Sequence, residues 1–392
     1  MRIGLTGTTG LLGRNIFFEI LKNCFTTNEP LEIIVFGKNI LTTKLKERIR
    51  SILEEDGIHY IGIKDIEKLL DKITTVHCDL SQDGLAIPFD NLKYLQIKKI
   101  DIFIHSGALT DFRNSPEVAV NLQNINVKGT ERLLKLLSIT GVKTFIYISS
   151  AYACGSKSGK IFPDYSNTEE VFRNPYEKTK LLAELVVQKF AKEFKFNYKI
   201  IRPSTIAGRL IESPIGMTPK FDIFYAWTAF FLRIKLAFIK NPLNIFEEEM
   251  LISARIAFCR ETGLNIVPAD YAAKVIWGIA NSQTKDIFFH ITNPTDTMNI
   301  DYTSWALKSI GISGFEIVDQ EPENKNKIEK FYYKTVGKIF TPYAMAKEKV
   351  FLNRGTTEKI EEKLGIKCPT IDKGSFDKLM TFAKSKHFGL KL

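Results

Sequence analysis

The chain has 392 residues, 44% of them hydrophobic and 25% charged, which is ordinary for a soluble protein with one large or two coupled cores. Its net charge of +11 favours acidic partners: phosphorylated cofactors, anionic lipid or acidic carrier proteins. The basic residues form no long block, which argues against a nucleic-acid-binding tail. In chain order, RIGLT (2–6), LEIIVF (31–36), ITTVHC (73–78), DIFIH (101–105), KTFIYIS (143–149) and FNYKIIRP (196–203) read as strands. They are nearly continuous apolar runs, as parallel strands covered on both faces require. Helical patterns fill the gaps, notably at 11–24, 115–139 and 175–195. That alternation predicts an α/β fold, a doubly wound parallel sheet with right-handed crossovers. From about residue 210 the pattern changes to long helices, broken by short strands near 264–267 and 286–291, and the last ninety residues are basic and mostly helical.

The stretch LTGTTGLLG (5–13) joins the first strand to the first helix, with Gly7, Gly10 and Gly13 in a GxxGxxG spacing. A phosphate approaching this turn would be obstructed by a Cβ, and the helix N-terminus beyond it offers free N–H groups to a pyrophosphate. At the end of a first strand the motif points to dinucleotide binding by Thr6, Gly7, Thr9, Gly10, Leu11 and Gly13. No carboxylate ends the second strand to bond the ribose 2′-OH of NAD(H). Lys38 stands there instead, with Arg48 on the following helix, so NADP(H) is the expected cofactor. Asp79 and Leu80 end the third strand, where Asp79 can accept from an adenine amine. Ser106, Gly107 and Ala108 make a small-residue turn after the fourth.

The fifth strand ends in ISSAYACG (148–155), which puts Ser149 and Ser150 at the carboxyl edge of the sheet, where ligands of open α/β folds bind. The next helix opens with NPYEKTK (174–180). Tyr176 and Lys180 are four residues apart and so share one face. A serine hydroxyl, a phenol and an ammonium can converge there. A nearby lysine cation is expected to lower the phenol from its usual value near 10 and make Tyr176 an acid/base. Ser150 is expected to hold the substrate oxygen and Lys180 to bond the cofactor ribose.

These motifs, in this order, resemble the extended short-chain dehydrogenase/reductases, which implies a Rossmann-type fold and Ser150, Tyr176 and Lys180 as the catalytic group. HSGALTDF (105–112), NVKGTERLL (126–134), RPSTIAGR (202–209), NIVPADYAA (265–273) and FHITNP (289–294) are similar to the thioester-reductase and fatty-acyl-reductase branch, the male-sterility type. The resemblance covers roughly residues 1–295. It implies an acyl thioester substrate, on coenzyme A or an acyl-carrier protein, reduced with NADPH to an aldehyde or alcohol. Asn126 matches the asparagine of the branch's NVxGT element and joins the catalytic set. Pro203, Ser204 and Thr205 match the turn that lies against the nicotinamide. The branch often has arginine where this chain has Gly37-Lys38, threonine in place of Ser150, and a double alanine where HSGA stands. The implied division is an NADP-binding domain over 1–210, also receiving elements from about 264–295, and a substrate-binding cap from 211–262 and 296–392.

Other enzymes on the same scaffold stay open. A nucleotide-sugar epimerase or dehydratase needs polar groups around sugar and diphosphate, whereas 210–262 is apolar and aromatic. A hydroxysteroid or 3-keto acid dehydrogenase is the other alternative. A non-catalytic NADP-sensing regulator has no need of an intact Ser150, Tyr176 and Lys180. The aromatic window 221–240 is either an acyl-channel wall or a core helix. Asp222, Arg233 and Lys235 make it too charged to span a membrane, while peripheral membrane contact stays compatible. Cys24, Cys78, Cys154, Cys259 and Cys368 are odd in number and scattered, as in a reduced cytoplasmic protein. The chain opens directly on a strand, so no signal peptide is expected. The five histidines have no metal-ligand spacing, so no metal is expected.

Overall fold

The apolar runs of the first two hundred residues form six parallel strands: β1 Arg2–Thr6, β2 Glu32–Gly37, β3 Ile73–His77, β4 Ile100–His105, β5 Val142–Ile148 and β6 Asn197–Pro203. The computed structural model describes residues 1–27, 30–39, 44–239, 241–347 and 349–391. A seventh strand, β7 (Phe288–Ile291), joins the same sheet from far along the chain, giving the order β7-β6-β5-β4-β1-β2-β3. Every pairing is parallel. The chain runs outward from β1 to β3, then returns to β4 on the other side of β1. The carboxyl ends of β1 and β4 therefore flank the point where the winding reverses, which is where such sheets bind ligands.

Both faces of the sheet are covered, so alternate residues of one strand enter different cores. Ile33 and Val35 pack with the helices α1 (Leu11–Thr27) and α5 (Ala269–Asn281). Ile34 and Phe36 pack on the opposite side with α2 (Gly129–Thr140) and α3 (Pro175–Phe194). A third core surrounds α4 (Phe224–Leu236), where Trp227 and Phe231 are fully buried with Ile252, Ile256 and Tyr332. No helix among the described residues is long and apolar enough to cross a membrane.

The structure departs from the sequence reading in three places. The helix expected over 115–139 is two α-helical pieces, Pro116–Leu122 and α2, joined by a π turn at Gln123–Lys128. Beyond 210 the chain is less helical than its pattern suggests. Met250–Ala257 is a strand paired in parallel with Ile312–Val318, so the stretches 211–262 and 296–392 meet in one small sheet. Only Ile252, Ala254, Ile256 and Ala257 of that strand are buried, whereas Leu251 is exposed, and a strand covered on one face lacks the continuous apolar run that marked β1–β6. The strand expected near 264–267 divides in two: Gly263–Leu264 pairs with Thr297–Met298, and Ile266–Pro268 pairs with Thr205–Ala207. Val350–Leu352 adds to Gly159–Ile161.

Candidate active site

The turn after β1 is built for close approach. Gly7 has φ 78°, and its carbonyl accepts from Gly10 N at 2.9 Å. A Cβ on Gly13 would collide with the Gly7 carbonyl oxygen, and one on Gly7 would lie 2.8 Å from Gly107 N. The turns after β1 and β4 thus touch backbone to backbone. Thr6 Oγ1 fastens them: it accepts from Gly107 N at 3.0 Å and lies 2.7 Å from His105 Nδ1. His105 reaches Thr130 of α2 at 3.1 Å through its other ring nitrogen. Burial drives its pKa down to about 3, with the Lys180 charge adding to the shift, so this histidine is a neutral strut.

Two cavities meet at this turn, both lined by Gly7 and Ala108. The smaller, about 310 Å³, is lined by Thr6, Thr9, Lys38, Arg48, Asp79, Leu80 and Gly107 among others. The larger, about 950 Å³, is lined by Gly10, Leu11, Gly13, Ser106, Ser150, Tyr176, Lys180, Pro203, Ser204 and Thr205. Every site residue expected from sequence lines one of the two, except Asn126. That asparagine is buried in the π turn, where its Oδ1 accepts from Leu109 N at 2.8 Å and its Nδ2 donates to Leu109 O at 3.0 Å. It braces the loop after β4 and does not face the cavity.

In the smaller cavity the two basic residues have different partners. Lys38 Nζ pairs with Asp79 Oδ2 at 2.8 Å. Burial would raise the Asp79 carboxyl, but the bonds from Lys38 and Ser81 outweigh it and hold the pKa below its usual value. Arg48 spans the cavity rim, donating to Lys38 O and to Thr9 Oγ1, each at 3.0 Å. Of the two cations, Arg48 is the one without a carboxylate partner among the described residues.

The catalytic candidates come from β5 and α3. Asn174 caps α3, its side chain accepting from Glu177 N at 3.2 Å, and Pro175 takes the first helical position, where its missing N–H costs nothing. Tyr176 is nine-tenths buried. Burial pushes its phenol up to about 12, while Ser150 and Thr110, facing the hydroxyl, pull the other way. The expected lowering by Lys180 is therefore overturned. The ammonium donates to Ile148 O at 2.7 Å and lies 4.4 Å from the centre of the Tyr147 ring. Burial pulls Lys180 itself down to about 7, with Glu184 opposing. Behind the site Glu184, one turn further along α3, takes two bonds from Arg202, at 2.8 and 2.6 Å, and one from Ser149. The ion pair is fully buried and cross-links β5, α3 and β6.

Above Tyr176 the larger cavity is mostly apolar, walled by Ile223, Phe224, Leu264, Met298, Ile339 and Phe340. The start of the aromatic window therefore faces the cavity, and the rest of α4 is core. Arg113, Lys220 and Lys349 also line it. Sequence reading missed Thr110, Phe112, Tyr152 and Tyr343. The first two lie within HSGALTDF and Tyr152 within ISSAYACG, so those motifs carried a signal; Tyr343 had none. Among the described residues no three His, Cys, Asp or Glu side chains gather as a metal site.

The sequence profile of a family described as male sterility protein matches residues 5–276. Fatty acyl-CoA reductase 1 of Xenopus laevis is 24% identical over 298 residues, 67% of this chain and 55% of that protein. The dTDP-D-glucose 4,6-dehydratase of Mus musculus is 32% identical over 126 residues, 32% of this chain and 35% of that one. The chain thus spans about half of the one relative's length and about a third of the other's. Among solved structures, the terminal R domain from the myxalamid PKS-NRPS biosynthetic pathway superposes with a TM-score of 0.75 at 19% identity, covering 100% of this chain and 92% of that one. A thiolation-reductase di-domain from an archaeal non-ribosomal peptide synthetase gives 0.68 at 21% identity, covering 99% and 91%. Both share the fold described above. With the profile spanning well over half of the sequence, the chain belongs to the male sterility protein family, of the extended short-chain dehydrogenase/reductase type.

Proposed function

We propose that the protein is an NADPH-dependent reductase of an acyl thioester, carried on coenzyme A or on an acidic acyl-carrier protein, giving an aldehyde or alcohol. The observation that carries this reading is the cavity of about 950 Å³ that Tyr176 lines, whose apolar wall of Ile223, Phe224, Leu264, Met298, Ile339 and Phe340 suits an acyl chain. In this reading residues 1–210, extended by about 264–295, hold the cofactor, and 211–262 with 296–392 form the substrate cap. The residues present fit a dinucleotide: the turn at Gly7 and Gly13 admits no Cβ, and the start of α1 lies beyond it. Arg48, with Lys38 beside it, would hold a 2′-phosphate. When bound, the nicotinamide dinucleotide supplies a hydride.

The chain's own residues do the rest. Ser150 holds the substrate oxygen, and Tyr176, protonated across the neutral range, gives it a proton as negative charge develops. Lys180 serves the cofactor ribose. The test is oxidation of NADPH with acyl-CoAs, carrier-bound acyl groups, aldehydes and nucleotide sugars, with product identification. Tyr176→Phe is expected to keep cofactor binding and lose about 10²–10⁴-fold in turnover. The loss should be smaller on a thioester than on an aldehyde, because a thiolate leaves with little acid help. Activity confined to nucleotide sugars would overturn the reading, and so would full activity of the phenylalanine variant on every accepted substrate.

A further inference from the structure

The first turn of α3 is closed by a residue from far along the chain. Glu177 is fully buried beside Tyr176. It accepts from Arg173 N at 3.0 Å and Arg173 Nη1 at 3.2 Å, and from the Tyr343 hydroxyl at 2.7 Å. The same hydroxyl accepts from the Nδ2 of Asn174, the capping residue of α3, at 2.6 Å. One phenol thus satisfies a buried carboxylate and orients the capping amide, and both groups flank Tyr176 in sequence. The Tyr343 ring adds a second connection. It meets the Phe112 and Tyr152 rings edge-on, with centroids at 5.9 and 5.4 Å, and Phe112 in turn packs on Tyr176 at 4.9 Å. The Arg173 guanidinium lies 5.1 Å from the centre of the Tyr343 ring.

The helix that carries Tyr343, Gly337–Ala344, is itself held in place. The carbonyl of Ala344 accepts from Cys259 N at 2.8 Å and from Asn299 Nδ2 at 3.2 Å. Tyr343 also lines the larger cavity, so it stands between the substrate cap and the helix of the proton donor. A phenol with only a packing role needs no partner for its hydroxyl beyond water; this one sits between two buried polar groups of the same helical turn.

We propose that Tyr343 is a positioning residue for Tyr176: it holds the start of α3, through Glu177 and Asn174, in the geometry from which Tyr176 reaches the substrate oxygen. The inference rests on the reading of Tyr176 as proton donor. Small misplacements of a reacting group are costly, so the effect falls on turnover more than on binding.

The decisive variant is Tyr343→Phe, which keeps the ring and removes the hydroxyl. On the substrate accepted by the parent protein, kcat is expected to fall about tenfold, with KM and cofactor affinity changed less than about twofold. In a Tyr176→Phe background the same change is expected to alter single-turnover rates less than about twofold, because the group it positions is gone. A merely structural tyrosine would lower both backgrounds alike. Asn174→Ser, which keeps a capping oxygen but takes the amide donor from the Tyr343 hydroxyl, should repeat the pattern and decides the matter if Tyr343→Phe does not fold. Unchanged kcat in the folded variants, an equal fall in both backgrounds, or a change in KM alone would overturn the inference. Full activity of Tyr176→Phe by itself would overturn the reading beneath it, and the inference with it. A loss in Tyr176→Phe with none in Tyr343→Phe would overturn the inference alone.

Discussion

Lys180 holds a cation where the fold resists one. Burial pulls its pKa from 10.5 to about 7, and Glu184 only partly opposes this. Below pH 7 both folded and unfolded chains carry the proton, and the folded state bears the full cost of burying it. Between pH 7 and about 10.5 the folded chain has shed its proton while the unfolded chain has not, so stability rises with pH across that window. Lys180→Met removes the cost along with the bond to Ile148 O. In the absence of cofactor the variant should be more stable than the parent by roughly 2–4 kcal/mol at pH 6, with the gain closing by about pH 10. Denaturant unfolding at pH 6, 8 and 10 measures this, and a gain independent of pH would refute it. The pairing of Tyr176 with Lys180 was legible because four residues on a helix fix a common face. The direction of the Tyr176 shift was not, since it follows from how deeply the folded chain buries the phenol. Tyr343 was illegible for a different reason: its partners Glu177 and Asn174 lie 166 and 169 residues earlier.

At the scale of elements, β1–β6 were readable because burial on both faces writes a continuous apolar run, and the Gly7 turn because its spacing is dictated by backbone contact. Met250–Ala257 shows the opposite case, a strand with one solvated face whose alternation is easily taken for helix. The π turn holding Asn126 was hidden inside an unbroken helical pattern. The loops after β1 and β2 are joined by a contact no single stretch announces, Arg48 of the helix Leu45–Ile52 with Thr9. Because Lys38 already has Asp79, Arg48 is the cation expected to meet a 2′-phosphate. Arg48→Ala should weaken NADPH binding about ten- to hundredfold, as loss of one charge-assisted bond of about 1.5–3 kcal/mol implies, and leave NADH binding nearly unchanged. Fluorescence titration with both cofactors checks it; equal losses for the two would point to a loop effect instead.

For the molecule as a whole, the excess charge of +11 bears on encounter rather than on fold. If the acyl group arrives on an acidic carrier, kcat/KM should fall as salt is raised from about 0.05 to 0.5 M, since exposed charges are screened over about 10 Å at 0.1 M. The same acyl group on a short uncharged thiol should respond little. Equal salt responses of the two substrates would exclude steering by the carrier. The stretch beyond residue 210 was the least legible part of the chain, because a small sheet joins Met250–Ala257 to Ile312–Val318 and the strand Val350–Leu352 pairs back to Gly159–Ile161. Such pairings are set by tertiary packing and leave no local period.

The 169 residues between Asn174 and Tyr343 also have a meaning in time. A ribosome adds about 5–20 residues per second, so roughly 10–30 s separate the synthesis of the capping amide from that of the phenol that receives its bond. All seven strands of the main sheet and the glycine turn are made before that phenol. The nascent chain is therefore expected to assemble its main sheet and glycine turn first and to fasten the first turn of α3 last.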